Sequence, residues 1–143
     1  MHRGSLRLVL NTPELWQQYT PVMRHQILCD VAEGMAYLHS QDTFHRDLKS
    51  HNVLITDDCR AVLTDFGLSR TASSISGMTN TKSVFNGGTL AWTAPEIFNA
   101  KGGISQFTAK SDVYSYGIVI YEVLAGSYAV SHNDSTEVSN MPW

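Results

Sequence analysis

At 143 residues the chain has room for one ordinary domain. Hydrophobic residues make up 43% and charged residues 16%, a globular balance that excludes a disordered segment. A net charge of −3 with no basic stripe gives no footprint for nucleic acid, and the longest apolar run, residues 117–126, is broken by Glu122 and too short to span a bilayer. Met1-His2-Arg3-Gly4-Ser5 lacks the apolar stretch of a signal peptide. Cys29 and Cys59 match no metal spacing and read as free thiols of a cytoplasmic protein.

The first strong element begins at Thr20-Pro21, a capping hydroxyl followed by proline at the first helical position. Met23, Ile27, Val31, Met35 and Leu38 recur at helical spacing, so residues 21–40 are predicted to form one amphipathic helix. Val53-Leu54-Ile55-Thr56 and Ala61-Val62-Leu63-Thr64 are short β-type runs, with residues 57–60 as the hairpin turn between them. Residues 69–83 hold eight serines and threonines and few apolar anchors, and read as a polar loop. Ser111-Asp112 is predicted to cap a second helix over about residues 113–125. That helix is apolar on nearly every face, which predicts burial on all sides. Residues 127–143 carry no clear pattern, and the chain has no internal repeat.

The chemistry is concentrated in His45-Arg46-Asp47-Leu48-Lys49-Ser50-His51-Asn52, in Asp65-Phe66-Gly67 eighteen residues after Asp47, and in Ala94-Pro95-Glu96. Either aspartate alone reads as a turn or cap residue. The three motifs in this order resemble the catalytic loop, the metal-binding motif and the end of the activation segment of protein kinases. The resemblance covers roughly residues 4–126. Residues 88–96 and 111–117 look most like the tyrosine-kinase-like branch of the serine/threonine kinases.

The resemblance implies a set of roles. Asp47 accepts or orients the proton of the substrate hydroxyl, Lys49 neutralises charge on the transferred phosphate, and Thr89 bridges the two through its hydroxyl. Asn52 and Asp65 supply oxygen ligands to Mg²⁺, and Leu54 packs under the adenine ring of ATP, although a strand leucine is more often plain core. Arg46 grips a phosphate placed in the 69–83 loop, at Thr81 or Ser83, by an upstream activating kinase. His45, Phe66 and Asp112 tie the active-site loops to the second helix, with Gly67 and Glu96 as further structural positions, while Asp112 also serves as a helix cap. His51 reads as a solvent-facing histidine, and His2, His25, His39 and His132 form no ligand spacing. Lys49 and Thr89 are serine/threonine-type choices.

The same resemblance exposes departures. No Gly-rich phosphate loop occurs, no lysine precedes Lys49, and no arginine follows Arg70 to pair with Glu96. The expected fold is α+β, a mostly helical kinase-like C-terminal lobe with a small β-hairpin, running from just after the hinge (Gly4-Ser5-Leu6 with Leu8 and Leu10) to just after the buried helix. Residues 1–143 then form a partial kinase domain without the N-lobe and the last helices. Two functions compete: an ATP- and Mg²⁺-dependent protein serine/threonine kinase, incomplete and inactive in these residues alone, and a non-catalytic interaction or regulatory module derived from one.

Overall fold

A computed structural model of the chain describes residues 2–65, 70–71, 90–98 and 107–127. In chain order the elements are β1 (His2–Ser5), α1 (Leu6–Leu10), α2 (Pro13–Trp16), α3 (Pro21–Ser40), β2 (Thr43–Phe44), β3 (Val53–Thr56), β4 (Ala61–Leu63), β5 (Arg70–Thr71), α4 (Pro95–Phe98) and α5 (Ala109–Ala125). Two 3₁₀ turns, Ser50–Asn52 and Leu90–Trp92, complete the set. The fold is mostly helical with small antiparallel sheets, as the sequence predicts.

α3 starts as its sequence dictates. The Thr20 side chain accepts from the Met23 amide at 3.3 Å, and Pro21 occupies the first turn, where its missing N–H is no loss. Ile27, Asp30, Val31 and Met35 form its buried stripe. Gly34 lets the helix approach β4 closely, since a Cβ there would lie 2.9 Å from a Leu63 methyl.

The β3–β4 hairpin pairs Val53 with Leu63 and Ile55 with Ala61, and Cys59 takes the left-handed conformation in the turn with φ 61°. The hairpin is one strand short of the sheet actually formed. β1 adds to its other edge, pairing Gly4 with Ile55 and Ser5 with Leu54. Nothing in His2-Arg3-Gly4-Ser5 has strand propensity, so this pairing depends on a partner about fifty residues away. A second two-stranded pair joins β2 to β5, which places Arg70 and Thr71 in a strand rather than in the polar loop predicted for them.

α5 departs from expectation in two ways. It begins at Ala109 with Thr108 as its N-cap, and Ser111 stands one turn inside the helix, accepting from the Thr108 amide at 3.0 Å and donating to its carbonyl at 2.8 Å. Ser111 and Asp112 therefore do not start the helix. Burial is also one-sided: Val119 and Val123 are fully buried, whereas Val113, Tyr121 and Leu124 are 61%, 56% and 72% exposed. The core lies between α1, α3, α5 and the inner face of the three-stranded sheet, filled by Leu6, Val9, Ile27, Val31, Leu48, Val53, Ile55, Val119 and Val123. The Tyr116 hydroxyl donates to the Leu28 carbonyl at 2.9 Å and ties α5 to α3. Among the described residues no helix is long and apolar enough to cross a membrane. Cys29 and Cys59 are free and half-buried.

Candidate active site

The loop 45–52 leaves β2, crosses the N-terminal part of α5, and ends in the 3₁₀ turn that leads into β3. Its start is fixed by one carboxylate. Asp112, buried in the first turns of α5, accepts from the His45 amide at 2.9 Å on Oδ2 and from the Arg46 amide at 2.9 Å on Oδ1. The assignment of Asp112 as a helix cap is thus corrected, because both its oxygens face the loop. Arg46 has φ 70°, a left-handed conformation that strains a non-glycine residue by about 1–2 kcal/mol. Converging both amides on Asp112 holds that conformation. His39, at the end of α3, adds its Nε2 to Asp112 Oδ2 at 2.9 Å. No motif in the sequence signals this role for His39.

His45 is fully buried. Burial lowers its pKa below 6.5, with the charges of Asp112 and Asp47 pulling the other way. A neutral imidazole accepts weakly from the Asp47 amide through Nδ1 at 3.4 Å. Leu48, fully buried, anchors the loop in the core between Asp47 and Lys49.

Asp47 and Lys49 meet as their two-residue spacing predicts. Lys49 Nζ lies 2.7 Å from Asp47 Oδ2. Asn52 folds back from the 3₁₀ turn, and its Nδ2 donates to the Asp47 carbonyl at 2.7 Å and to Oδ2 at 3.2 Å. Both side-chain contacts fall on one oxygen of the carboxylate. Among the described residues no donor reaches Oδ1.

The end of the hairpin is tied to the 3₁₀ turn through Thr64, the residue before Asp65. The Thr64 amide donates to the Asn52 carbonyl at 2.9 Å, and Asp65 follows one residue later, exposed and left-handed with φ 62°. Because Asn52 spends its amide hydrogens on Asp47, its side-chain oxygen stays available as an acceptor or ligand. An amide oxygen and an exposed carboxylate are the hard donors that Mg²⁺ takes, so these residues fit the ion. Leu54 is half-buried in the central strand of the sheet, opposite Ser5 and Val62.

A cleft next to Asp47 is lined by Arg46, Trp92, Thr93, Ile97, Phe107 and Ser115. The Arg46 guanidinium carbon stands 5.5 Å from the centroid of the Phe107 ring. His51 is not a solvent-facing residue: it is half-buried, pairs with the Arg7 side chain, and packs edge-on against Trp92 at 6.1 Å. Glu96 is exposed in α4. Phe66, Gly67, Thr81, Ser83 and Thr89 lie outside the described residues, as does His132.

The profile of the family described as protein tyrosine and serine/threonine kinase matches residues 1–141. The chain belongs to the protein kinase family. A probable serine/threonine-protein kinase of Dictyostelium discoideum is 44% identical over 126 residues, covering 87% of this chain and 12% of that protein. The serine/threonine-protein kinase TNNI3K of Mus musculus is 44% identical over 108 residues, 74% of this chain and 12% of the relative. The serine/threonine/tyrosine-protein kinase HT1 of Arabidopsis thaliana is 40% identical over 124 residues, 86% of this chain and 29% of the relative. The chain thus spans about an eighth of the length of the first two of these kinases.

Proposed function

We propose that this chain is the catalytic-loop part of a kinase that transfers the γ-phosphoryl group of ATP to serine or threonine hydroxyls of a protein substrate. The observation that carries the reading is the asymmetric environment of Asp47. Lys49 and Asn52 fix one carboxylate oxygen, and the other, which no donor reaches among the described residues, can accept a hydrogen bond from an incoming hydroxyl. A held carboxylate orients the nucleophile without a reorganisation step, the kind of positioning on which phosphoryl transfer depends.

Asn52 and Asp65 are the residues for Mg²⁺, which would neutralise phosphate charge when bound. Lys49 orients Asp47 before substrate arrives and offers its ammonium to the transferred group. Thr89 completes that contact, and Leu54 forms part of the floor under the adenine. Arg46 receives a phosphate from Thr81 or Ser83, added by an upstream kinase, so that activity follows phosphorylation of the 69–83 loop. Phe66 joins His45 and Asp112 in tying the active-site loops to α5, and Gly67 and Glu96 are further structural positions. The protein works in the cytoplasm. Residues 1–143 represent a partial kinase domain, and with no Gly-rich loop and no lysine before Lys49 they do not turn over ATP by themselves.

Phosphoamino-acid analysis tests the reading. The complete protein, incubated with labelled ATP, Mg²⁺ and a generic protein substrate, is expected to yield phosphoserine and phosphothreonine, and chelation of Mg²⁺ to stop the reaction. A product dominated by phosphotyrosine would contradict the substrate class. The exposed Val113, Tyr121 and Leu124 favour the second reading, a kinase-derived interaction module. Absence of transfer by the complete protein would favour it.

A further inference from the structure

Glu122 is a carboxylate inside the apolar helix α5, fully buried beside the equally buried Val123 and one turn from Val119. A charge so placed is unfavourable unless it is hydrogen-bonded. Two of its partners come from separate segments. Ser50 Oγ donates to Oε1 at 2.8 Å, and Trp92 Nε1 donates to Oε2 at 3.1 Å. Ser50 stands three residues after Asp47, and Trp92 stands two residues before Ala94-Pro95-Glu96. Trp92 is held a second time by α5, since its carbonyl accepts from Ser115 Oγ at 2.6 Å.

Glu122 lies ten residues beyond Asp112, or about 15 Å along the same helix. Asp112 grips the start of the loop through two amides, and Glu122 grips its end through Ser50. Asp47 and Lys49 sit between the two grips. Asn52, which orients Asp47, belongs to the 3₁₀ turn that Ser50 opens. Ser50 is itself fully buried, so its hydroxyl faces the helix and not a substrate. From this arrangement we infer that Glu122 is a positioning residue for phosphoryl transfer. Its carboxylate sets the height of the 50–52 turn through Ser50, and thereby the aim of Asn52 and Asp47, while anchoring the Trp92 turn to the same point. The inference rests on the kinase reading and adds to it a residue buried in α5 behind the catalytic loop. A carboxylate suits the task because two oxygens accept from two donors. A leucine of similar size would offer neither acceptor, whereas a glutamine could keep both contacts by donating its N–H₂ to the Ser50 hydroxyl.

The test is made on the complete protein. Ser50→Ala deletes one oxygen and leaves the loop backbone intact. We expect kcat to fall about tenfold, with the KM for ATP changed less than twofold, at a temperature where circular dichroism shows the variant folded. Glu122→Leu, which removes both acceptors, is expected to lose at least as much, and the double variant no more than Glu122→Leu alone, because both changes break the Ser50 bond. If Glu122→Leu does not fold, Ser50→Ala decides alone. A folded Ser50→Ala variant with kcat within twofold of the parent would overturn the inference, and so would a loss carried by KM or multiplicative losses in the double variant. A parent protein with no transfer activity would instead overturn the kinase reading beneath it.

Discussion

Arg46 and Asp30 show what single side chains contribute. The left-handed φ of Arg46 is unfavourable by itself, and Asp112 stabilises it by taking the two adjacent amides. Asp30 plays the matching part for the hairpin. Arg60 closes on it with Nε at 2.8 Å and Nη2 at 2.6 Å, the Ala61 amide donates at 2.8 Å, and Gln26 adds a bond at 2.9 Å. Burial works against the charged form of Asp30, but these donors outweigh it and hold the pKa below 3.8. A depressed carboxylate pKa gives stability that is complete above the unfolded value and is lost as pH falls through the folded value. The stability gap between the parent and Asp30→Asn should therefore be constant above about pH 5 and narrow as pH drops below the ordinary value of 3.8. Chemical denaturation at a series of pH values measures it. A gap unchanged between pH 6 and pH 3 would remove Asp30 from any role as a paired charge.

Among the elements, α5 carries the sharpest stability contrast. Gly126 ends it in the left-handed conformation with φ 65°, and a Cβ at this position would lie 2.6 Å from Trp16 Nε1. At Gly117, in the middle of the same helix, an added Cβ would meet nothing within 4 Å. Gly126→Ala should cost at least about 1 kcal/mol through backbone strain and the clash with Trp16. Gly117→Ala should stabilise by about 0.5–1 kcal/mol from helix propensity alone. Thermal melts of the two variants with opposite shifts would support this end of the fold, and equal shifts would not. α3 was legible in the sequence because Thr20-Pro21 and the apolar stripe are local signals that packing did not override. The start of α5 was not, because Ser111-Asp112 has the composition of a cap while both side chains are used elsewhere, Ser111 toward Thr108 and Asp112 toward the catalytic loop. β1 was illegible for a different reason: its four residues become a strand only through a distant partner. Asp47, Lys49 and Asn52 were legible because the kinase-like motif that they resemble lies within one contiguous loop. His39 and Glu122 were missed because their partners lie 73 and 72 residues away. The one available signal was Glu122 itself, a charge interrupting an apolar helix.

At the scale of the whole molecule, α5 both anchors the candidate active site and, among the described residues, presents an exposed apolar face. Asp112, Ser115 and Glu122 face the catalytic loop and the Trp92 turn, while Val113, Tyr121 and Leu124 share the opposite face at helical spacing, with Gly117 between them. A helix apolar all round predicts full burial from sequence, and periodicity alone does not reveal which neighbours supply the cover. Residues 1–143 produced by themselves should associate through this face. Size-exclusion chromatography is expected to show oligomers or broad elution, and Tyr121→Glu with Leu124→Glu to restore a monomer without lowering the melting temperature. A monodisperse parent monomer would show that the face does not drive association.

Everything in the proposed chemistry turns on Asp47, held by Lys49 and Asn52 on a loop fixed to α5, orienting the hydroxyl that receives the phosphoryl group. Steady-state phosphotransfer by the complete protein and its Asp47→Asn variant tests this most directly. We expect kcat to fall about 10²-fold or more, with the KM for ATP little changed, since a positioned proton acceptor is worth roughly 10²–10⁴ in rate. An Asp47→Asn variant that retains kcat within a few-fold of the parent would contradict it.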